Sequence, residues 1–490
     1  MFHVEQRCST NQECSTWNIL GRDSTRKRMK RIAIIGGGIA GVTAAWELAR
    51  SGNGVETVLF EASGRLGGIV ETVREQGFTI ECGPDAWVTE KSWARELASE
   101  LGLDIQIMPS NDAIRKTYIL LEGKLVAMPD GMRMMVPADL DAVDASTLFS
   151  ATAKGAFRDE VARAPELKAT APDHDESVAS FVRRHFGDEV LQTTGAPLLS
   201  GVFGGDVATL SVRAVMAPFV AMEREHGSLI MAVQTRARAK ASPNGGAIFT
   251  TLRSGLGTLI DAMVAPIPPH CIRLQTPVTG LLRRGEGWVV RTVSSEEEFG
   301  HVMLAAPIDV ARELLRKTDS RAAELMRLDA SSAVVVAFGS TEPVELPPGF
   351  GFLVPPSATR ADSLLAATFV DQKFESRVPQ GGHLLRAFFG GATGARLLSA
   401  SDSTIVDLAR RQLEGILGTL PAPIVTVLRR WPRSLPQYAV GHLERMAELD
   451  GRVQALGGLW LLGNGYRGIG LPDLVRDARA AADACLRASS

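Results

Sequence analysis

The stretch Arg31-Ile32-Ala33-Ile34-Ile35-Gly36-Gly37-Gly38-Ile39-Ala40-Gly41 decides the fold. Residues 32–35 are apolar without alternation, as expected of a strand buried on both faces. Residues 41–50 have helical spacing and 56–60 form a second strand, so the GxGxxG pattern from Gly36 to Gly41 sits inside a βαβ unit. In that setting Gly36 permits the tight turn, Gly38 lets the backbone approach a pyrophosphate, and Gly41 lets helix and strand pack closely. Gly37, Ile39 and Ala40 complete the loop and first turn, whose free N–H groups and positive dipole end face the phosphates. Glu61 lies 20 residues after Gly41, at the end of the second strand, where a carboxylate can accept both ribose hydroxyls.

This fingerprint alone does not separate a nicotinamide from a flavin dinucleotide. Directly after Glu61 and Ala62 comes Arg65-Leu66-Gly67-Gly68, a basic side chain and a second flexible loop near the same pyrophosphate, which favours FAD. Gly83-Pro84-Asp85-Ala86 follows a strand at 78–82 and makes a rigid turn able to lie along an isoalloxazine ring. Near the end, a short apolar strand at 459–462 leads through the glycine-rich run Gly463 to Gly470 into an amphipathic helix at 472–486. Pro472 suits the first turn of that helix and Asp473 complements its dipole. The chain therefore returns to its first domain.

A length of 490 residues implies two or three domains, interleaved if both ends share one fold. Lys and Arg total 53 against 55 Asp and Glu, so the charge of -2 gives no reason to expect nucleic acid as a partner. Cys8, Cys14, Cys82, Cys271 and Cys485 are odd in number and lack a CxxC pair, which argues against a disulfide framework or a zinc site. No run of 18 or more apolar residues and no signal-peptide order is found, so a cytoplasmic location is expected, with peripheral membrane contact left open. Residues 1–28 are polar and aperiodic; Met29 reads as the natural start, and a flexible extension is the alternative.

The middle of the chain is helical in pattern at 195–220 and 229–239, whereas 334–338, 364–369 and 383–389 read as strands. Pro423 and Pro432 bracket a further strand-like run at 424–428. Met128, Met132, Met134 and Met135 suit either a core or chamber wall or a membrane-facing surface, the former being favoured because no basic amphipathic helix accompanies them. No Ser-His-Asp set, metal cluster or carboxylate pair stands out, so no catalytic side chain and no metal is assigned. Asp85 is a polar candidate near the flavin, and His226 and His442 read as structural or surface residues.

These motifs resemble the flavin amine-oxidase superfamily and, within it, the oxygen-dependent protoporphyrinogen and coproporphyrinogen oxidases. Besides the runs above, the resemblance rests on Glu81-Cys82-Gly83-Pro84-Asp85, Leu199-Ser200-Gly201-Val202-Phe203-Gly204-Gly205-Asp206 and Glu223-Arg224-Glu225-His226-Gly227-Ser228. Arg430-Trp431-Pro432-Arg433-Ser434-Leu435-Pro436-Gln437-Tyr438 and Gly441-His442 favour the porphyrinogen oxidases over their amine-oxidising relatives. The resemblance implies that Val278 meets the adenosine part of FAD, that Trp431 lies beside the flavin, and that Ile469, Gly470 and Leu471 contact its pyrimidine end. It also implies a hydrophobic chamber with Leu353, Phe369 and Phe389 on its walls. Thr117 stands where plant and animal relatives carry an arginine suited to a propionate, with Arg115 and Lys116 close by.

The fold expected on this resemblance is α/β and α+β. A discontinuous Rossmann-type FAD-binding domain (29–90, 250–310 and 455–490) is interleaved with a sheet-based substrate domain (91–130 and 315–454) and a mostly helical subdomain (131–249). The implied reaction is oxidation of a porphyrinogen to its porphyrin by non-covalently bound FAD, with molecular oxygen as acceptor and hydrogen peroxide as product. Substrate identity, between coproporphyrinogen III and protoporphyrinogen IX, and the oligomeric state stay open. An amine oxidase, a carotenoid-type desaturase and a non-catalytic flavin-binding scaffold are the alternatives.

Overall fold

The computed structural model describes residues 31–52, 54–239, 247–356 and 363–489; the polar segment 1–28 lies outside the described residues. Its organising feature is a five-stranded, wholly parallel sheet in the order Ile272–Arg273, Glu56–Phe60, Arg31–Ile35, His301–Leu304, Leu459–Leu461. The strands come from both ends and the middle of the chain. They are short and apolar because both faces are covered: the helices Ile39–Arg50 and Leu471–Ser489 pack on one side, and Trp288, Phe299, Leu314 and Leu325 fill the other. The positions after the carboxyl ends of four of these strands are Gly36, Glu61, Ala305 and the Gly463 run, the edge where ligands bind in such sheets.

A second, seven-stranded sheet has the order Val425–Pro436, Ala330–Ser340, His383–Phe389, Ala366–Phe369, Gly351–Leu353, Thr117–Leu121, Lys124–Ala127. The strand Val425–Pro436 runs on through Pro432, which corrects the reading of 424–428 as a run closed by that proline. The strand is at the sheet edge, and the register slips between Ser331 and Ala333 of its neighbour, with Arg433 at φ 46°. A bulge on an edge strand needs no N–H from Pro432, so the residue is accommodated rather than terminating.

One face of this sheet packs on the helix Asp402–Leu417 through Ile405, Ala409 and Leu413, all fully buried. The other face turns toward the first domain and a bundle of helices between Leu140 and Ala239. Met128, Met132, Met134 and Met135 pack into the core of that bundle. Among the described residues no helix is long and apolar enough to cross a membrane.

The bundle is pinned by a buried polar knot. His185 Nδ1 lies 3.0 Å from Glu160, its Nε2 lies 3.2 Å from Glu223, and Ser228 donates to Glu160 at 2.6 Å. Burial opposes a charge on His185, but the bonds to Glu160 and Glu223 outweigh it and raise its pKa above the ordinary value. The run from Glu223 to Ser228 is thus a structural element. Gly227, at φ 76°, stands where a Cβ would lie 1.9 Å from the Ala164 carbonyl oxygen.

Candidate functional site

Two glycine loops meet at the carboxyl edge of the parallel sheet. A Cβ on Gly36 would stand 2.6 Å from the Ala305 carbonyl oxygen, and one on Gly41 only 1.9 Å from the Gly36 oxygen, so both positions require glycine for packing. Gly38 differs, because nothing lies within 4 Å of where its Cβ would be. It caps the helix Ile39–Arg50 with no side-chain hydrogen bond, leaving the first-turn N–H groups directed at open space. The Gly67 N–H donates to the Gly37 oxygen at 2.8 Å, and Gly68 approaches so closely that its Cβ would be 3.1 Å from Gly38 Cα. Together the loops form a backbone cradle that suits a pyrophosphate.

Glu61 is fixed from two sides, accepting from the Gly37 N–H and the Ser63 N–H at 2.7 Å each. Ala62 is exposed beside it. The Thr276 N–H donates to the Glu61 carbonyl at 2.8 Å, so the segment leading into Val278 starts beside Glu61. These residues fit the ribose and adenosine half of a dinucleotide.

Arg65 has a different place from that expected of a phosphate ligand. Its guanidinium donates to the carbonyls of Leu66 at 3.2 Å, Val70 and Gly68, and reaches Glu71 at 3.2 Å. It therefore braces the second glycine loop. Arg429 holds Glu71 from the other side at 2.6 Å, and this hydrogen bond keeps the Glu71 carboxyl below the usual range against the cost of burial. Trp431 stacks near the same group, with the Arg65 guanidinium 5.8 Å from its ring, and its Nε1 donates to the Cys82 carbonyl at 2.7 Å.

The turn Gly83-Pro84-Asp85-Ala86 rests on buried charges that sequence spacing does not reveal. Asp85 accepts from Lys373 at 3.0 Å and lies 3.4 Å from Arg386, whose guanidinium also donates to the Gly83 carbonyl. Arg377 pairs with Glu81 at 3.1 Å and donates to Thr251 at 2.7 Å, and Thr251 in turn donates to the Asp85 carbonyl at 2.7 Å. Burial works against the Asp85 charge, yet Lys373 and Arg386 hold its pKa below the ordinary value. Burial pushes Glu81 the other way, against the pull of Arg377. The group contains one more cation than carboxylates. Arg386 within the apolar strand His383–Phe389 was the one local signal for it.

Strand parity decides what faces this region. Cross-strand register puts Leu353, Ala366, Phe388, Val335 and Arg429 in one row, and Thr368 and Arg386 in the next, on the face carrying the charge cluster. Phe369 and Phe389 point the opposite way and are buried with Leu385, Leu397 and Ile405 under the helix Asp402–Leu417. The face turned toward the charge cluster carries Thr368 and Phe388 in their stead, because successive strand residues alternate faces. Leu353 stays on the expected face, half-buried and 3.4 Å from where a Gly201 Cβ would stand. Thr117 begins its strand without a basic side chain, Arg115 is engaged with Asp112 at 3.2 Å, and Lys116 is exposed.

The C-terminal run closes the site. Tyr438 donates to the Asn464 carbonyl at 2.6 Å and accepts from the Gly468 N–H at 3.0 Å, while its ring stacks on His442 at 3.9 Å and 11°. His442 lies 2.9 Å from the Tyr466 carbonyl and is buried, so burial lowers its pKa and its role is to hold the loop. Ile469 packs toward the helical bundle and Leu471 toward the parallel-sheet core, with Gly470 between them at the start of the last helix. Cys82, Cys271 and Cys485 are free thiols, and burial pushes Cys82 up to about 11.

Known proteins agree with this geometry. The model of the family described as flavin containing amine oxidoreductase matches residues 39–486. Coproporphyrinogen III oxidase of Bacillus subtilis is 31% identical over 92% of this chain and 97% of its own. The chloroplastic protoporphyrinogen oxidase of Nicotiana tabacum is 28% identical over 91% of this chain and 83% of its own. A crystal structure from Exiguobacterium sp. 255-15, carrying a provisional protoporphyrinogen oxidase name, superposes with a TM-score of 0.82 at 31% identity, covering 93% of this chain and 98% of that one. With a family match over nearly the whole described chain and a parallel nucleotide-type sheet built from both of its ends, this chain belongs to the flavin-containing amine oxidoreductases.

Proposed function

We propose that the chain is an FAD-dependent porphyrinogen oxidase, converting coproporphyrinogen III or protoporphyrinogen IX to the porphyrin with oxygen as acceptor. The observation that carries this reading is the attachment of the second sheet to the flavin segment. Trp431 and Arg386 bond to the backbone of Cys82 and Gly83, so the apolar row Leu353, Ala366, Phe388 and Val335 stands over the turn expected along the ring. Flat apolar walls with few polar groups suit a macrocycle. The full-length likeness to porphyrinogen oxidases supports the substrate class.

FAD rather than a shorter flavin is supported by Glu61 and Val278, which extend the site toward an adenosine. Non-covalent attachment is supported by the run Gly463 to Asp473, which has no cysteine. The division into 29–90 with 250–310 and 455–490 for FAD, 91–130 with 315–454 for substrate, and 131–249 for the helical part follows the same reading.

The flavin, when bound, supplies two-electron oxidation, and three rounds remove the six hydrogens that separate porphyrinogen from porphyrin. The chain's residues position and polarise. The glycine cradle and the helix dipole hold the pyrophosphate. The charge cluster of Glu81, Asp85, Lys373, Arg377 and Arg386, with its excess cation, would favour added electron density on a flavin bound beside the turn it supports. The walls exclude water.

Anaerobic mixing of the yellow holoenzyme with coproporphyrinogen III tests the reading. Bleaching of the flavin band supports it; a band unchanged by either porphyrinogen overturns it.

A further inference from the structure

At the border of the flavin site an open cleft of about 460 Å³ runs between the start of the last helix and the helical bundle. Its inner wall is made by Ala86 and by Gly470 and Leu471, the two segments expected to border the flavin. The apolar wall continues through Val88, which is 43% exposed, and Pro218. The rim carries both charges with a cationic excess: Lys91, Arg133 and Arg236 face the cleft together with the carboxylates of Glu90 and Asp473.

Two of these cations have partners. Lys91 pairs with Asp473 at 2.6 Å, and Arg133 with Glu90 at 3.2 Å in a solvent-accessible contact that a ligand can exchange at little cost. Arg236 is half-buried on the helix Leu229–Ala239, and no carboxylate among the described residues pairs with it. A guanidinium held against an apolar cleft without a counter-ion is suited to a bidentate carboxylate. Apolar walls under a basic rim fit a flat, apolar molecule with carboxylates on its edge.

We propose that this cleft receives carboxylate arms of the macrocycle and that Arg236, assisted by Arg133, favours a tetracarboxylate over a dicarboxylate. The inference rests on the porphyrinogen reading and adds to it a residue that sets which porphyrinogen is preferred. Arg236 is a specificity residue and takes no part in the oxidation.

The test is titration of the holoenzyme with coproporphyrin III and with protoporphyrin IX, in the native chain, Arg236→Glu and Arg236→Lys, alongside KM and kcat for both porphyrinogens. Flavin content and melting temperature verify that the variants are folded. Arg236→Glu is expected to weaken coproporphyrin III about tenfold or more and protoporphyrin IX by less than about threefold, with the change in turnover lying in KM, and Arg236→Lys, which keeps the charge but not the fork, to weaken coproporphyrin III by less than Arg236→Glu does. Coproporphyrin III bound equally well by Arg236→Glu, or both porphyrins weakened alike, overturns the inference while native turnover leaves the porphyrinogen reading standing. A native enzyme that binds neither porphyrin and oxidises neither porphyrinogen removes both.

Discussion

Asp85 and Lys373 are separated by 288 positions in the chain and form an ion pair of 3.0 Å directly behind the turn Gly83-Pro84. The pair joins the nucleotide fold to the second sheet, and Arg386 backs it at 3.4 Å. Lys373→Met leaves the Asp85 carboxylate buried with one cation fewer, so it is expected to cost about 3 kcal/mol of stability, measured by denaturant unfolding. The same variant is expected to lower the midpoint potential of the bound flavin, because it removes the excess positive charge from the cluster behind the turn Gly83-Pro84. An unchanged potential contradicts the electrostatic role while leaving the structural one.

The acid limb of the stability profile follows from the same pair. The Asp85 pKa is depressed in the fold, so its contribution is complete above the ordinary carboxylate range and is lost as pH falls through the depressed value. Asp85→Asn flattens that part of the profile. Melting temperatures from neutral pH down into the acid range provide the comparison.

His185 gives the opposite sign. Its pKa is raised in the fold, so the stabilisation is present below the ordinary histidine pKa and is lost as pH rises through the raised value. Melting temperature is expected to decline over that interval in the native chain and to lose this dependence in His185→Gln, which is also less stable at every pH because Glu160 and Glu223 remain buried.

The glycines of the cradle separate packing from ligand binding. Gly41→Ala drives a methyl into the Gly36 oxygen and impairs folding of the domain itself. Gly38 has extended, negative-φ backbone and free space around it, so Gly38→Ala is expected to fold with an unchanged melting temperature for the apoprotein while binding flavin at least about tenfold more weakly. Flavin titration of the apoprotein measures the difference.

Phe388 and Phe389 provide a test of strand parity. Phe389 is 1% exposed in the core beneath the helix Asp402–Leu417, and Phe389→Ala is expected to cost about 3–5 kcal/mol with little change in porphyrin affinity. Phe388→Ala is expected to weaken porphyrin binding with a smaller loss of stability.

What was legible in the sequence is local. The strand Arg31–Ile35, the turn at Gly36 and the acid at Glu61 declare themselves through contiguous residues whose chemistry has few alternatives. Parity was not legible at Thr368-Phe369 or Phe388-Phe389, because both faces of these strands carry apolar residues and a one-residue slip leaves the pattern unaltered. Pro432 was misread because its meaning depends on lying at a bulge in an edge strand, which only the pairing reveals. The charge cluster draws Glu81 and Asp85, Lys373 and Arg377, and Arg386 from three separated segments, and no spacing rule connects them. Proximity to the cradle makes Arg65 a phosphate candidate in the sequence, whereas the spacing does not reveal that its guanidinium also braces carbonyls of its own loop.

The most direct test of the central claim is aerobic turnover of the purified holoenzyme with coproporphyrinogen III and, separately, protoporphyrinogen IX, recording porphyrin fluorescence and peroxide together. The account predicts porphyrin formation above the autoxidation rate with three peroxides per porphyrin, faster with the tetracarboxylate. Flavin-loaded protein that accelerates neither substrate contradicts it.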